Sequence, residues 1–315
     1  MLNSFTSLPE EIIESLRTFA SYIFFLEPLT EASYIFRPFL ILILLGIISG
    51  TLGVLVNLRH LEFISEGIVH AIFPGIIGGF AILNGVIGII PGAVFIGIIS
   101  AFIFTISTKH KTSSEALIAL TLTTFFGIGI VIVSYVKDMS GQLESLLFGR
   151  LLTVTEDLVT QTIFVCFISL LLCCTTWKEQ VFRAFDLDGY QGYGYKVFWT
   201  DLILNLSITF AVIAASTAVG TLLAIGYVII PPATAKLICN RISTMIPISI
   251  FVATFSGYLG LLTVTYTSEV VELSPQAMVI CYMTILYALA YPMRFLLLKM
   301  NVKKDSANAH KELVK

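Results

Sequence analysis

Nine times along its length this chain runs through an apolar stretch of about 20 residues, the length an α-helix needs to cross the hydrocarbon of a bilayer. The stretches lie near 38–58, 63–83, 86–107, 116–135, 158–177, 199–217, 218–235, 246–266 and 277–298. No other feature constrains the fold as much. In hydrocarbon every backbone N–H and C=O must be satisfied within the protein, and a single segment can do that only as a helix. Composition agrees: 57% of the 315 residues are hydrophobic and only 12% charged, where soluble domains carry about 25% charge. The expectation is an all-α integral membrane protein of about nine transmembrane helices, within a range of eight to ten. The weakest division is at 217/218, where the apolar run is nearly continuous. Residues 1–35 read as a separate N-terminal segment, 36–298 as the transmembrane domain and 299–315 as a polar tail.

Charge assigns sides. With nine spans, one set of alternate loops holds Arg59 and His60, then Lys109, His110 and Lys111, then 178–198, then Lys236 to Arg241, then the tail with Lys299, Lys303, Lys304, Lys311 and Lys315. The other set is poor in Lys and Arg, and its last loop carries Glu269 and Glu272 without a basic residue. The positive-inside rule makes the first set cytoplasmic. The C-terminus is then cytoplasmic and the N-terminus extracytoplasmic. The N-terminal MLNSFTSLPEEIIESLRTF is acidic where a secretory leader is basic. Ser7 and Glu10 have capping-box spacing with Pro9 close by, and Ile12, Leu16, Phe19 and Ile23 form one stripe. This reads as a helix lying in the membrane interface or against the bundle. The net charge of −2 and the lack of a basic tract argue against nucleic acid. The five cysteines (Cys166, Cys173, Cys174, Cys239, Cys281) sit in or beside apolar runs and read as small hydrophobes, not as a disulfide framework.

The second span holds the chemistry. It contains Ser65-Glu66-Gly67-Ile68-Val69-His70-Ala71-Ile72-Phe73-Pro74-Gly75 inside an apolar run. Gly67, Ala71, Gly75 and Gly79 fall four apart, a ladder of small residues that lets helices approach closely in lipid. Glycines four apart recur at 46–50, 75–79 and 88–92. Glu66 and His70 lie on the adjacent stripe, also four apart, so they share a face. A carboxylate oxygen and an imidazole nitrogen suit Mn²⁺, Zn²⁺ or Fe²⁺. A divalent cation would also supply the opposite charge that an intramembrane carboxylate lacks. The competing reading is a Glu–His hydrogen bond that locks two helices, or a pair reaching the headgroups. On the pair alone the two readings stand level. Two ligands make an open site, as a transported ion requires.

Several stretches resemble one family, the membrane permease subunit of bacterial zinc, manganese and iron uptake ABC transporters. The family's second span carries a pattern like G-D-x-x-S-H-A-x-x-P-G, matched by residues 65–75. Its acidic-Thr-Ala-Ile-Gly-Ile segment is matched by Glu115-Ala116-Leu117-Ile118-Ala119-Leu120. Leu147-Phe148-Gly149-Arg150-Leu151-Leu152-Thr153-Val154 with Asp157-Leu158, then Phe185-Asp186, then Val219-Gly220-Thr221-Leu222-Leu223 with Pro231-Pro232-Ala233-Thr234-Ala235 follow in family order. The resemblance covers about 40–298.

The resemblance implies a BtuC-like, ABC-3-type permease bundle in the bacterial plasma membrane. It implies Glu66 and His70 as ligands of a transported divalent metal, with Glu66 where the family has Asp and Ser65 where it has Gly. It implies a cytoplasmic coupling segment beginning at Phe185 and Asp186 and including Gly189, Tyr190 and Gly194. Glycines at 189, 192 and 194 disfavour a regular helix there, and its tyrosines would dock on an ATPase. The implied partners are cytoplasmic ABC ATPase subunits, an extracellular metal-binding lipoprotein and a second copy of the chain. No permanent cofactor and no enzyme activity are expected, since no Gly-x-x-x-x-Gly-Lys-Ser/Thr loop is present. The alternatives are a proton-coupled secondary transporter using Glu66 and His70 as a relay, which would need inverted repeats, and a membrane scaffold or receptor with a structural pair. Of the remaining polar residues, Glu115 reads as a helix start and Asp157 as a cap. Asp201 and Asn205 read either as polar lining or as helix–helix hydrogen-bonding groups.

Overall fold

A computed structural model describes residues 13–23, 25–30, 33–83, 85, 88–109, 114–135, 149, 151–154, 156–267 and 273–313. Ser7, Pro9, Glu10, His110, Lys111, Glu269 and Glu272 lie outside these residues. Nine described helical stretches are long and apolar enough to cross a membrane. In order they are span 1 (Tyr34–Leu58), span 2 (Glu62–Ile82), span 3 (Ile89–Ser107), span 4 (Ala116–Tyr135), span 5 (Leu158–Thr175), span 6 (Val197–Val219), span 7 (Thr221–Ile238), span 8 (Ile242–Thr267) and span 9 (Pro275–Phe295). No strand occurs among the described residues. The helix of span 9 continues through the tail to Leu313.

The doubtful division falls at Gly220. Its φ of +91° is one that side-chain-bearing residues rarely adopt, so the helix of span 6 ends and that of span 7 begins there. Spans 1, 2 and 6 are central, each 72% buried over its core window, while span 4 is only 17% buried and faces outward. Among the described residues the helices pack as spans 2, 3 and 6, spans 2 and 4, spans 5 and 6, and spans 1, 7, 8 and 9.

The small-residue ladder does what its spacing predicts. A Cβ built on Gly75 would overlap the Gly92 carbonyl oxygen, and one on Gly79 would overlap that of Gly88. Spans 2 and 3 therefore meet backbone to backbone. Gly67, about two turns before Gly75, instead receives the Phe104 ring, 2.7 Å from where its Cβ would stand.

Span 1 is not a regular helix throughout. Residues Ser49–Gly53 form one π-helical turn. The cause faces it on span 7, where Pro231 and Pro232 remove two N–H donors and free the carbonyls of Tyr227 and Val228. The Ser49 hydroxyl donates to the Tyr227 carbonyl. Gly53 lies against the Val228 carbonyl, where a Cβ would stand 2.8 Å from the oxygen. π-turns occur where a side chain or neighbour reshapes the helical ladder. Replacing Ser49 by Ala should leave the Tyr227 carbonyl unmet and cost about 1 kcal/mol. A melting temperature of the purified protein that is unchanged in Ser49→Ala would refute this.

The N-terminal segment packs differently from its stripe. In the helix over 13–21, Ile13 and Ala20 are buried, while Leu16, Phe19 and Ile23 are exposed. Arg17 pairs with Glu14 and donates to the Thr30 carbonyl at 3.0 Å, and Tyr258 of span 8 donates to the Phe25 carbonyl at 2.6 Å. Leu16, Phe19 and Ile23 of the stripe thus face outward, and Ile12 lies outside the described residues. Of the cysteines, Cys166 and Cys173 are buried, Cys239 is half-buried, and Cys174 and Cys281 are exposed on the spans; all five are unpaired.

Candidate functional site

Span 2 is built from two ten-residue helices, Glu62–Ala71 and Phe73–Ile82, where the sequence pattern had suggested one. Pro74 is the reason. It has no N–H to give the His70 carbonyl, so the helix breaks at Ile72 and restarts with Pro74 in its first turn. Glu66 and His70 sit in the last turns before this break, both half-buried.

The Glu66 carboxylate is near enough to act electrostatically on the His70 ring. Yet no hydrogen bond or ion pair involves the Glu66 or His70 side chain among the described residues, so a Glu–His hydrogen bond is absent there. The Phe126 ring of span 4 stands edge-on to His70 at 6.2 Å between centroids and stacks on Phe73 at 5.0 Å. An apolar wall thus bounds the pair on one side. Ser65 adds nothing to the site: it is buried and donates its hydroxyl to the Leu61 carbonyl at 3.0 Å. No group of three or more His, Cys, Asp or Glu with metal-holding geometry occurs among the described residues. Among the described residues the pair presents one oxygen and one nitrogen donor, and no third carboxylate, thiolate or imidazole joins them.

Asp201, the acid of span 6, behaves in the opposite way. Its carboxylate takes Arg59 on one oxygen and Arg183 on both, with Arg183 Nε at 2.9 Å and Nη2 at 3.1 Å. Arg59 also donates to Gln180 Oε1 at 2.8 Å, and Gln180 Nε2 donates to the Thr200 carbonyl at 2.8 Å. Burial pulls the Arg59 pKa below its ordinary value and the Asp201 charge pulls it back up; a guanidinium stays charged under such pressures. Asn205 donates to Thr105 Oγ1 of span 3 at 2.8 Å. Both residues are therefore tied into helix packing. The sequence placed Asp201 and Asn205 as candidates but did not reveal Arg59, Gln180 and Arg183. Arg59 and Arg183 fall in segments the charge pattern assigns to cytoplasmic loops, and the only signal was that an acid within a span needs a partner.

The segment after span 5 departs from expectation. Trp177–Phe185 is a helix, and Leu187–Gly192 is a second, short helix despite Gly189 and Gly192. Asp186 explains it: the residue is the N-cap, and its Oδ1 accepts the Gly189 N–H at 2.8 Å. The chain leaves the helix through Gly194, at φ +83°. Tyr190 is not a docking side chain. It is 1% exposed, shares a hydrogen bond with Thr200 Oγ1 at 2.6 Å and stacks on Tyr195 at 4.7 Å. The exposed apolar surface belongs to Phe185, Leu187, Tyr193 and Tyr195. The side chains of Glu115 and Asp157 lie outside the described residues.

Comparison with known proteins gives a consistent set. Residues 31–294 match the model of the ABC 3 transport family. The chain is 29% identical over 268 residues to the manganese transport system membrane protein MntC of Listeria monocytogenes, covering 85% of this chain and 93% of that one. It is 24% identical over 230 residues to the chelated iron transport system membrane protein YfeC of Yersinia pestis, covering 72% and 76%. Among solved structures it resembles PsaBC from Streptococcus pneumoniae in complex with Fab, with a TM-score of 0.74 at 26% identity over 87% of this chain and 98% of that one.

Proposed function

The chain belongs to the ABC 3 transport family, and from that premise we propose that it is the membrane permease subunit of an ATP-driven importer of a divalent transition metal, manganese foremost. Glu66 and His70 are the ligands that hold the ion in transit. The observation that carries this reading is that the Glu66 side chain has no hydrogen-bond or ion-pair partner among the described residues. A carboxylate inside a span is costly unless something balances its charge. Asp201 has two guanidiniums, whereas among the described residues Glu66 has no cationic partner, only a neighbouring imidazole. An arriving cation completes the pair and leaves again because two protein ligands do not close the shell. Mn²⁺ accepts carboxylate, imidazole and water together. The names of the manganese and chelated-iron relatives support this substrate class.

ATP would be hydrolysed on separate cytoplasmic subunits. Phe185, Leu187, Tyr193 and Tyr195 offer them an exposed apolar surface at the basic, cytoplasmic end. The sequence candidates Asp186 and Gly189 shape that surface through the cap, and Gly194 ends it. An extracellular metal-binding protein would deliver the ion from the other side, and a second copy of the chain would complete the pathway.

The test is uptake of Mn²⁺, Zn²⁺ and Fe²⁺ into proteoliposomes holding the permease with its ATPase. Uptake that requires ATP and is indifferent to a proton gradient is expected. Uptake driven by the gradient without ATP would replace this reading with the proton-coupled one. In the same preparation, Tyr193→Ala should weaken ATPase binding roughly tenfold, as loss of an exposed aromatic anchor predicts. Unchanged co-purification of the ATPase would remove Tyr193 from the contact.

A further inference from the structure

The Arg59–Asp201 cluster is not needed to hold a metal, yet it is the most heavily connected polar group in the described structure. We propose that it is the coupling joint of the permease, passing displacement of the docking helices to the metal-bearing span, with Asp201 as the positioning residue at its centre. This rests on the reading of the 177–195 segment as the ATPase-docking surface.

The connections run in one direction through named atoms. Tyr190, in the short helix beneath the exposed Tyr193, holds Thr200 through its hydroxyl. Gln180, in the preceding helix and fully buried, holds the Thr200 carbonyl with its nitrogen and Arg59 with its oxygen. Arg183, from the same helix, holds Asp201. Arg59 closes the circuit, because it grips both Gln180 and Asp201. Three elements are therefore tied at one point: the docking helices, the start of span 6, and the turn between spans 1 and 2.

That turn leads directly into the span that carries Glu66 and His70. His60 takes φ +54°, a left-handed conformation uncommon outside glycine. The Leu61 N–H returns to the Val56 carbonyl at 2.9 Å, and the Ser65 N–H bonds Leu61 at 2.9 Å. Glu66 follows five residues after Leu61, about 7–8 Å along a helix. A shift of the turn therefore reaches Glu66 with little slack between them. A buried carboxylate shared by two guanidiniums does not stretch gradually. It is either engaged or broken, because an unpaired buried charge is strongly unfavourable, and such two-state contacts transmit motion. The small cavity of about 70 Å³ lined by Arg59, Leu61, Ile64, Arg183, Asp201 and Asn205 gives these side chains room to rearrange.

The experiment measures metal taken up per ATP hydrolysed by the reconstituted permease–ATPase complex, with ⁵⁴Mn²⁺ as probe. Asp201→Asn keeps the shape and removes the charge; Gln180→Leu keeps every charge and removes the link to the docking helix. Both should lower the ratio roughly tenfold or more while basal ATP hydrolysis and subunit co-purification persist. Asp201→Glu should recover part of it. If Asp201→Asn fails to assemble, Gln180→Leu decides the question alone. A wild-type ratio in assembled Gln180→Leu, or hydrolysis and uptake falling together in both variants, would overturn the joint and leave the importer reading intact. Absence of ATP-dependent uptake in the wild type would instead overturn the importer reading.

Discussion

Replacing Glu66 or His70 by Ala is expected to abolish metal uptake while the permease still assembles with its partners. Each change leaves a lone donor in an otherwise apolar span. Loss of even an outer-shell partner costs metal sites 10–100-fold, so loss of a direct ligand should lower the initial rate by roughly 100-fold or more. The fold should survive, because neither side chain makes a hydrogen bond or ion pair among the described residues, and removing an unbalanced carboxylate from a span is itself stabilising. The measurement is ⁵⁴Mn²⁺ uptake at matched protein levels, with the melting temperature as control. Wild-type uptake in both variants would withdraw the pair from the pathway. Glu66→Asp is the informative partial change. It shortens the ligand by one methylene, and the ratio of Mn²⁺ to Zn²⁺ uptake should shift, since metal choice depends on cavity size and ligand reach more than on affinity order.

The second large effect is structural. Gly79→Leu should prevent accumulation of folded protein, whereas Gly78→Ala should be neutral. A side chain on Gly79 would run into the Gly88 carbonyl and the Gly92 backbone, which cannot yield as a flexible side chain would. Gly78 has nothing within 4 Å of its Cβ position. Overpacking against rigid backbone costs about 3 kcal/mol or more, enough to remove most of a protein's marginal stability. Monodispersity and yield after detergent extraction measure it. Equal yields from the two variants would show that spans 2 and 3 are not held by that seam.

These predictions differ in how legible they were. The glycine ladder could be read directly, because a four-residue period on a helix is a local property and lipid favours close helix contact wherever small residues allow it. The partner, Gly88 and Gly92 on span 3, was visible only as another run with the same spacing. The break of span 2 was foreshadowed by Pro74, but apolar length alone had suggested a continuous helix. The segment 186–194 went the other way. Its glycines argued against a helix, and one capping carboxylate, Asp186, outweighed them over six residues. Tyr190 was expected at a partner's surface and lies inside, because its hydroxyl found Thr200 and its ring found Tyr195.

By itself the sequence determined that the chain is a helical membrane protein, where its spans lie, and which residues share the face of Glu66 and His70. These follow from composition and from periods of a few residues, where the solvent and the backbone leave one solution. What only the tertiary structure decided is which intramembrane acid is free. Glu66 and Asp201 look alike in sequence, each an acid among apolar neighbours. Asp201 is neutralised by Arg59, 142 positions away, and by Arg183, 18 positions away, while Glu66 meets no cation among the described residues. Charge balance in a low-dielectric interior is set by distances between side chains, and those exist only once the helices have packed.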